Sequence, residues 1–304
     1  MQTTDHILMI RPVNFMFNEQ TAGNNKFQQD SAQTDVQQQA LKEFDAFVDL
    51  LRAHQIEVTI IEDTLTPSTP DSIFPNNWIS FHDNGDVILY PMFSENRRAE
   101  RRKDIIDRIH KDFMMTRTID LSGNEADNLF LEGTGSLVLD RVNRIAYACL
   151  SVRTNPQVLA EFCSKTGYKS IVFNAIDGEG FPIYHTNVMM CIGDAFAVVC
   201  FDSIPDLQEK EALRQSLVES NRQVIEINFE QMNQFAGNML QLHNKAGESL
   251  LVMSEQAYLS LKEAQVLDLQ TYCKIIYAPL YTIEKNGGGS ARCMLAEIHL
   301  PKAT

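Results

Sequence analysis

One pattern of elements recurs along almost the whole chain and constrains the fold more than any single motif. Each copy has two short apolar strands joined by a polar turn, then a helix, then a third strand. In the first copy, the polar residues 83–86 (Asp-Asn-Gly-Asp) separate the apolar runs 78–81 and 87–90, which is typical of a β-hairpin. Four copies end in a strand that follows a helical stretch. The pattern therefore predicts an architecture built from repeated ββαβ units.

The copies are evenly spaced. The residues that precede the first strand of each unit, here called the leading residues, are Asn77, Glu132, His185, Asn238 and Cys293, so the period is 53 to 55 residues. The fifth unit is split. Cys293 leads its first strand near the C-terminus, and a strand over 7–10, a helix over 35–54 and a strand over 57–61 supply the rest from the N-terminus. We therefore predict one α/β domain over 1–304, a five-bladed ββαβ propeller whose ring closes through the split unit.

A ring of this kind brings the leading residues to one central mouth. Cys293, His185 and Glu132 then supply a thiol, an imidazole and a carboxylate, the groups needed for a nucleophile, a general acid/base and an orienting partner. Each also has a structural alternative, as a buried thiol, a core histidine or a turn residue, but their common phase favours catalysis. Asn238 shares the phase and is predicted to help close the ring. The glycine run 287–289 before Cys293 is predicted to clear space for a planar group above the sulfur.

Composition narrows the classes of function. The chain has 304 residues and a net charge of -14, which argues against a nucleic-acid groove. It contains no apolar run of membrane-spanning length and no signal-peptide pattern. The six cysteines are scattered without a CxxC pair, which is typical of a reducing cytoplasm and predicts neither a zinc site nor another cofactor. A homodimer is compatible with the sequence.

Several motifs, in order, resemble those of the guanidine-modifying superfamily, which includes arginine deiminases, dimethylarginine dimethylaminohydrolases, agmatine deiminases and glycine amidinotransferases. All are five-bladed α/β propellers of the pentein type. The resemblance covers nearly the whole chain. The matching segments are 71–77 (DSIFPNN), 96–100 (NRRAE), 131–135 (LEGTG), 151–155 (SVRTN), 185–187 (HTN) and 288–294 (GGSARCM).

The resemblance implies a role for each matching residue. Cys293 would attack the central carbon of a guanidino or ureido group. His185 would protonate the leaving amine and then deprotonate water, and Glu132 would bind a substrate N–H and orient the site. Arg153 and Arg98 resemble the arginines that clamp the substrate carboxylate, a bidentate task suited to guanidinium groups. Asp71 matches a position that holds the amino-acid end of the substrate.

Departures from the superfamily's motifs point to the substrate. Arginine deiminases have aspartates at the positions of Asn77 and Asn187, where this chain has neutral amides, and Asn76 is neutral too. A buried guanidinium without counter-charge is costly, whereas a ureido group needs both donors and acceptors, which an amide supplies. We therefore expect a small ureido amino acid such as citrulline, hydrolysed to ornithine, ammonia and carbon dioxide. Gly135 is a further departure, since the family usually has a carboxylate there.

Other functions stay open at this point. Deimination of a guanidine and amidino transfer to an amine use the same nucleophile, and a non-enzymatic binding protein could use the same propeller. Residues 18–33 form a long polar loop before the first helix, and we expect it to act as a lid over the site.

Overall fold

The computed structural model describes residues 1–30 and 35–303, and these residues contain five three-stranded sheets. In every sheet the second strand is central, antiparallel to the first and parallel to the third. The predicted five ββαβ units are confirmed. The strands, unit by unit, are Ile79–Phe81, Asp86–Leu89 and Arg117–Asp120; Val138–Asp140, Ile145–Cys149 and Lys169–Phe173; Met190–Ile192, Phe196–Val199 and Gln223–Glu226; Leu240–His243, Ser249–Ser254 and Lys274–Ala278; Ala296–Glu297, His6–Arg11 and Glu57–Glu62.

A helix connects the second and third strands of each unit, as a parallel pair requires. These helices are Glu95–Arg98 with Lys103–His110, Pro156–Thr166, Leu207–Glu219, Glu255–Ser260 with Glu263–Gln270, and Val36–Ala53. The sequence predicted single helices over 95–112 and 254–267, and the structure interrupts both. In the first, the interruption lets Arg101 donate hydrogen bonds to Glu125 and to the carbonyl of Tyr90, contacts that fix the bend.

Short helical turns lie between the third strand of one unit and the first strand of the next. They are Pro75–Asn77, Ser122–Asp127, Gly133–Ser136, Thr186–Met189, Phe229–Asn233, Tyr281–Gly287 and Ala291–Met294, while Glu19–Ala22 and Phe201–Ser203 lie elsewhere. Cys293 was predicted to begin a strand, but it lies within such a turn. The turns of different units contact one another, as do first strands of neighbouring sheets. The leading residues are therefore gathered at the centre of the molecule.

The split unit carries the loop that holds the thiol. Helix Val36–Ala53 buries Ala40, Phe44, Phe47, Val48 and Leu51 at helical spacing. Glu43 on the same face is also buried, because its carboxylate accepts hydrogen bonds from the backbone N–H groups of Thr282 and Ile283 at 3.0 Å. These bonds satisfy the free N–H groups at the start of helix Tyr281–Gly287, which leads into the glycine run.

Within residues 1–30 and 35–303, no helix has both the length and the apolar character needed to cross a bilayer.

Candidate active site

All five leading residues are buried, and none exposes more than 3% of its surface. Glu132 and His185 immediately precede the turns Gly133–Ser136 and Thr186–Met189, and Cys293 lies within Ala291–Met294. Each turn lies just ahead of the first strand of its unit, so every leading side chain projects from the segment that precedes that strand. The repeat thus explains why residues from distant parts of the sequence meet.

Glu132 and His185 form a buried, hydrogen-bonded partnership. The Nε2 atom of His185 lies 2.8 Å from Glu132 Oε2, and the second carboxylate oxygen accepts from the backbone N–H of Phe93 at 3.0 Å. Burial lowers the pKa of His185 to about 4, against the opposing effect of Glu132. Burial alone would raise the pKa of Glu132, but the charge of Arg153 and the hydrogen bond with His185 outweigh it and hold that pKa well below its ordinary value. Near pH 7 the carboxylate is therefore ionised and the imidazole neutral.

The partnership also fixes the imidazole tautomer. An ionised carboxylate only accepts hydrogen bonds, so Nε2 carries the proton and Nδ1 carries the lone pair. A Cβ atom on Gly135 would lie 2.7 Å from His185 Nδ1 and 2.5 Å from Asn77 Nδ2. No side chain fits there without displacing the imidazole. The family's carboxylate at this position is therefore replaced by a glycine that gives His185 and Asn77 their room.

Neutral amides surround the thiol of Cys293. The Nδ2 atoms of Asn238 and Asn187 lie 3.3 and 3.5 Å from its Sγ atom, and its backbone N–H donates to the carbonyl of Ser290 at 2.9 Å. Burial raises the pKa of the thiol, while both amides act in the opposite direction. The free protein therefore holds a thiol rather than a thiolate at neutral pH. Asn238, predicted only to close the ring, contacts the sulfur directly.

The neighbouring amides of Asn76 and Asn77 are held by hydrogen bonds to each other and to Arg97. Arg97 donates to Asn77 Oδ1 at 2.8 Å, and Asn77 Nδ2 donates to Asn76 Oδ1 at 3.0 Å. These two bonds orient both amides and leave Asn76 Nδ2 buried without a hydrogen-bond partner among the described residues. Asn187 Oδ1 is buried and equally unpartnered. Asn76 Nδ2 and Asn187 Oδ1 are thus a free amide donor and a free amide acceptor beside the site, although neither residue lines the closed pocket that contains Cys293.

The structure places Arg97 in the site and Arg98 outside it. The Arg97 guanidinium is buried, pairs with Glu100 and lines the same pocket as Cys293. Arg98 is partly exposed and donates to the carbonyls of Met92 and Phe93, so it supports the loop whose N–H contacts Glu132. The sequence analysis named Arg98, and the structure brings its neighbour Arg97 to the pocket instead, because adjacent positions on a helical turn point in different directions.

Arg153 and Asp71 both contact the N-terminal segment, defined here as residues 18–30. Arg153 donates to Asn24 Oδ1, at 2.8 Å from Nε, and to the carbonyl of Thr21, and it lies 3.5 Å from Glu132. Asp71 Oδ2 accepts from Asn18 Nδ2 at 2.7 Å, while its Oδ1 has no partner in the described chain. Burial raises the pKa of Asp71. Both predicted substrate-binding residues are therefore held by the segment that covers them.

The N-terminal segment closes the pocket. Asn25 Nδ2 donates to the carbonyl of Gly288 at 3.3 Å, and the N–H of Gln29 donates to the carbonyl of Lys285 at 2.7 Å. The remaining cavity is about 10 Å³, room for one water molecule. Residues 31–33 of the predicted lid lie outside the described residues. Access for an amino acid requires the segment to move.

The glycine run, which lines the pocket beside Cys293, also allows close packing by other segments. Gly288 has φ +64°, and a Cβ atom there would lie 2.5 Å from Asn25 Nδ2. A Cβ atom on Gly289 would lie 3.0 Å from the ring of Phe74. The glycines let Phe74 and the N-terminal segment pack directly on the loop that carries the thiol. Tyr184 stabilises the same loop by donating to the Gly288 carbonyl at 2.5 Å.

These features agree with a comparison of the whole chain. Residues 11–300 match the model of one protein family, described as N,N dimethylarginine dimethylhydrolase, eukaryotic. The chain belongs to this family. Membership places it in the guanidine-modifying pentein superfamily, as the motifs indicated. No curated protein sequence matches it.

Solved structures show the same fold. The apo structure of ArgZ, an arginine dihydrolase from the ornithine-ammonia cycle in Cyanobacteria, superposes with a TM-score of 0.75 at 16% identity, covering 97% of this chain and 41% of ArgZ. The product-bound N-terminal domain of ArgZ gives 0.74 at 16% identity, covering 97% and 98%. An adduct of dimethylarginine dimethylaminohydrolase with 4-chloro-2-hydroxymethylpyridine gives 0.65 at 16% identity, covering 97% and 99%. The chain thus spans about two fifths of full-length ArgZ and nearly all of its N-terminal domain.

Proposed function

We propose that this protein hydrolyses citrulline to ornithine, ammonia and carbon dioxide through a covalent intermediate on Cys293. The observation that carries the proposal is the pair of buried, unpartnered amide atoms: Asn187 Oδ1, on a residue that touches the sulfur, and Asn76 Nδ2, on a turn that packs against the turn of Cys293. A ureido group presents a carbonyl acceptor and N–H donors. It therefore satisfies both atoms without bringing in a charge.

Charge in the pocket supports a neutral reacting group. Arg97 is fully buried and stays cationic, since Glu100 and Asp71 raise its pKa against the effect of burial. Its guanidinium lies 2.8 Å from Asn77, at one wall of the pocket. A substrate guanidinium at that wall would meet an amide and an already paired arginine where arginine deiminases present a carboxylate. A ureido group needs no counter-charge there.

In the first step the Cys293 thiol gives its proton to Nδ1 of His185, which holds the lone pair, and the sulfur attacks the ureido carbon. Glu132 stabilises the imidazolium that forms, because its carboxylate already accepts from Nε2. The imidazolium then protonates the leaving nitrogen, the C–N bond breaks, and one amine departs. The carbonyl carbon remains bound to sulfur as a thiocarbamate.

In the second step one water molecule is consumed. His185, neutral again, takes a proton from water as the oxygen attacks the thiocarbamate carbon, and the C–S bond breaks with return of the proton to sulfur. The released carbamic acid decomposes to carbon dioxide and the second amine. The sum is one citrulline and one water giving one ornithine, one ammonia and one carbon dioxide.

The amino-acid end of the substrate would lie against Arg153 and Asp71. Arg153 offers a guanidinium fork for the α-carboxylate once Asn24 and Thr21 release it, and the free Asp71 Oδ1 is an acceptor for the α-ammonium. The N-terminal segment would open to admit the substrate and close again over it. This exchange of contacts couples substrate binding to closure of the pocket.

Steady-state assays with citrulline, arginine, agmatine, methylated arginines and carbamoyl-putrescine test the proposal when ammonia and amine products are both quantified. We expect ornithine and ammonia from citrulline, and a lower kcat/KM for every guanidine. A kcat/KM for arginine equal to or above that for citrulline would contradict the argument from the asparagines. Turnover retained in Cys293→Ala would favour a mechanism without the thiol.

A guanidine substrate is the second candidate, and family membership favours it. A dimethylarginine hydrolase would release citrulline and a methylated amine, and an arginine deiminase would release citrulline and ammonia. An amidinotransferase would place a new guanidine on an amine acceptor. Product analysis separates all three from the citrulline reaction, because only that reaction consumes citrulline and yields carbon dioxide.

A further inference from the structure

Asn238 is the one leading residue to which the motifs give no function, and it is fully buried against the thiol. Its Oδ1 accepts from the backbone N–H of Arg292 at 3.0 Å, and its Nδ2 donates to the backbone carbonyl of Asn187 at 2.8 Å. A backbone N–H can only donate and a carbonyl can only accept, so these two bonds fix which end of the amide is which. The Nδ2 donor is thereby directed at Cys293 Sγ, 3.3 Å away.

The same amide serves both protonation states of the sulfur. Asn238 Oδ1 lies 3.6 Å from Sγ, within reach of the S–H group, and Nδ2 offers a hydrogen to the negative sulfur after the proton leaves. Asn187 adds a second, longer contact of 3.5 Å. Since Arg292 directly precedes Cys293 in the chain, the bond to its N–H also fixes the backbone from which the thiol projects.

Charged groups stabilise the thiolate less than the amides do, because each charged group already has a partner or is neutral. The titratable groups that line the pocket or act on the thiol are Asp71, Arg97, Arg153, Tyr184, His185 and Arg292. The guanidinium of Arg292 donates to Glu297 Oε2 at 2.7 Å and to the Leu295 carbonyl, so a buried carboxylate compensates its charge. Arg97 is paired with Glu100, Arg153 with Glu132, and His185 is neutral near pH 7.

We infer that Asn238 is a further catalytic residue, whose amide holds the Cys293 sulfur in position and stabilises the thiolate that attacks the substrate. The inference rests on the proposed function only in taking Cys293 as the nucleophile. Both ends of the Asn238 amide are occupied, by the Arg292 N–H and the Asn187 carbonyl, so its contribution belongs to the chemistry of sulfur rather than to substrate affinity. It would act with a guanidine substrate as well as with citrulline.

The test is the pH dependence of iodoacetamide alkylation at Cys293, followed by mass spectrometry of the peptide that contains it, in the absence of substrate. In Asn238→Ala the donor is lost, and we expect the alkylation midpoint to rise by about one pH unit, with a roughly tenfold slower reaction at pH 7. Asn238→Asp keeps the acceptor for the Arg292 N–H, loses the bond to the Asn187 carbonyl and places a carboxylate at the sulfur, so it should shift the midpoint further.

Asn244→Asp is the matched control, because Asn244 is equally buried in the same unit but contacts Glu248 in a turn instead of the thiol. Its alkylation profile should match the wild type. In steady-state assays Asn238→Ala should lower kcat about tenfold or more with little change in KM. If Asn238→Ala does not fold, Asn238→Asp decides.

Folded Asn238 variants whose alkylation midpoint equals that of the wild type would overturn the inference. Because alkylation needs no substrate, this result is independent of the reaction catalysed. A shifted midpoint in a protein that does not consume citrulline would retain the role of Asn238 and reject the proposed substrate.

Discussion

The two halves of the candidate active site differ in the buried polar groups that they contain. On one side Glu132, His185 and Arg153 form a compact set of charged and titratable groups. On the other side Cys293 lies among the amides of Asn187 and Asn238. Glu132 and His185 on the charged side, and Cys293 and Asn238 on the neutral side, are all leading residues of the repeat. The fold therefore fixes where the reactive groups stand, and the identity of each leading residue decides whether its side of the pocket is charged or neutral.

The charged side and the neutral side are therefore suited to separate tasks. The charged side is prepared for proton transfer before substrate arrives, because its carboxylate is ionised and its imidazole neutral. The neutral side holds a protonated thiol, and under the proposed function it would bind a carbonyl group without a counter-charge. The following predictions test the difference between the two sides, in order of decreasing expected effect on activity.

Replacing the nucleophile removes the function of the neutral side completely. Cys293→Ala should lower kcat by at least about 10⁴-fold, since no covalent intermediate can form. Cys163→Ala, at a half-buried cysteine on a surface helix, should keep wild-type activity. Ammonia release under substrate saturation measures both. Substantial turnover in the Cys293 variant would show that the thiol is not the nucleophile.

Neutralising the charged side should have the next largest effect. Glu132→Gln keeps an acceptor for His185 but cannot stabilise the imidazolium, so we expect kcat to fall about 10²- to 10³-fold. Glu125→Gln is the control, because Glu125 is a nearby carboxylate that holds Arg101 and the Met92 N–H without touching His185. A Glu132 variant with activity similar to the control would remove the distinction between the two sides.

The pH profile reports the protonation state of His185. The base is its neutral form, so activity is lost as pH falls through its folded pKa of about 4. We expect kcat/KM to change little between pH 7 and 5 on this account. An imidazole with an ordinary pKa of about 6.5 would lose about 30-fold over the same interval. An acidic limb of the kcat/KM profile centred near pH 6.5 would contradict the neutral, buried imidazole.

Adding a charge to the neutral side should change specificity. Asn76→Asp keeps the acceptor for Asn77 but replaces the free Nδ2 donor by a carboxylate oxygen, so the ratio of kcat/KM for citrulline over arginine should fall about tenfold. Asn77→Asp is the matched comparison. Its carboxylate would pair with Arg97, already 2.8 Å from that position, and the ratio should change less. Equal citrulline-to-arginine ratios of kcat/KM in the two variants would contradict the proposal that Asn76 Nδ2 contacts the substrate.

The smallest effect is expected where the N-terminal segment covers the charged side. Asn24→Ala removes an acceptor from Arg153 while leaving the catalytic groups in place, so KM should change by no more than a few-fold and kcat should stay near wild type. Lys26→Ala is the control, because Lys26 lies on the same segment and contacts the exposed ring of Phe181. A large loss of kcat in Asn24→Ala would show that the N-terminal segment contributes to the chemical step.

Much of this arrangement follows from periodicity in the sequence. The period of 53 to 55 residues predicts five units and the meeting of Cys293, His185 and Glu132, since side chains at one phase of a closed repeat share an environment. Helix Val36–Ala53 was predicted within one residue at each end, because its apolar spacing is strong. Asn238 was visible by its phase, but nothing in its residue type distinguishes a contact with sulfur from a role in ring closure.

Contacts between distant segments could not be predicted. Arg153 donates to Asn24 across 129 positions of sequence, and no local pattern indicates that bond. The choice between Arg97 and Arg98 depends on the direction of a four-residue helix, a rotation of about 100° per residue that the motif does not set. The glycine run was correctly placed beside the thiol, but its packing on Phe74 depends on a ring from another unit.

A competition experiment tests the central claim most directly. Citrulline and arginine, carrying different isotopic labels, are offered together at equal concentration to the wild-type protein, and the consumption of each is followed in one vessel. The ratio of initial rates is the ratio of the two kcat/KM values. We predict that citrulline is consumed first, with labelled ornithine as product. Consumption of arginine before citrulline would contradict a site built for a neutral ureido group.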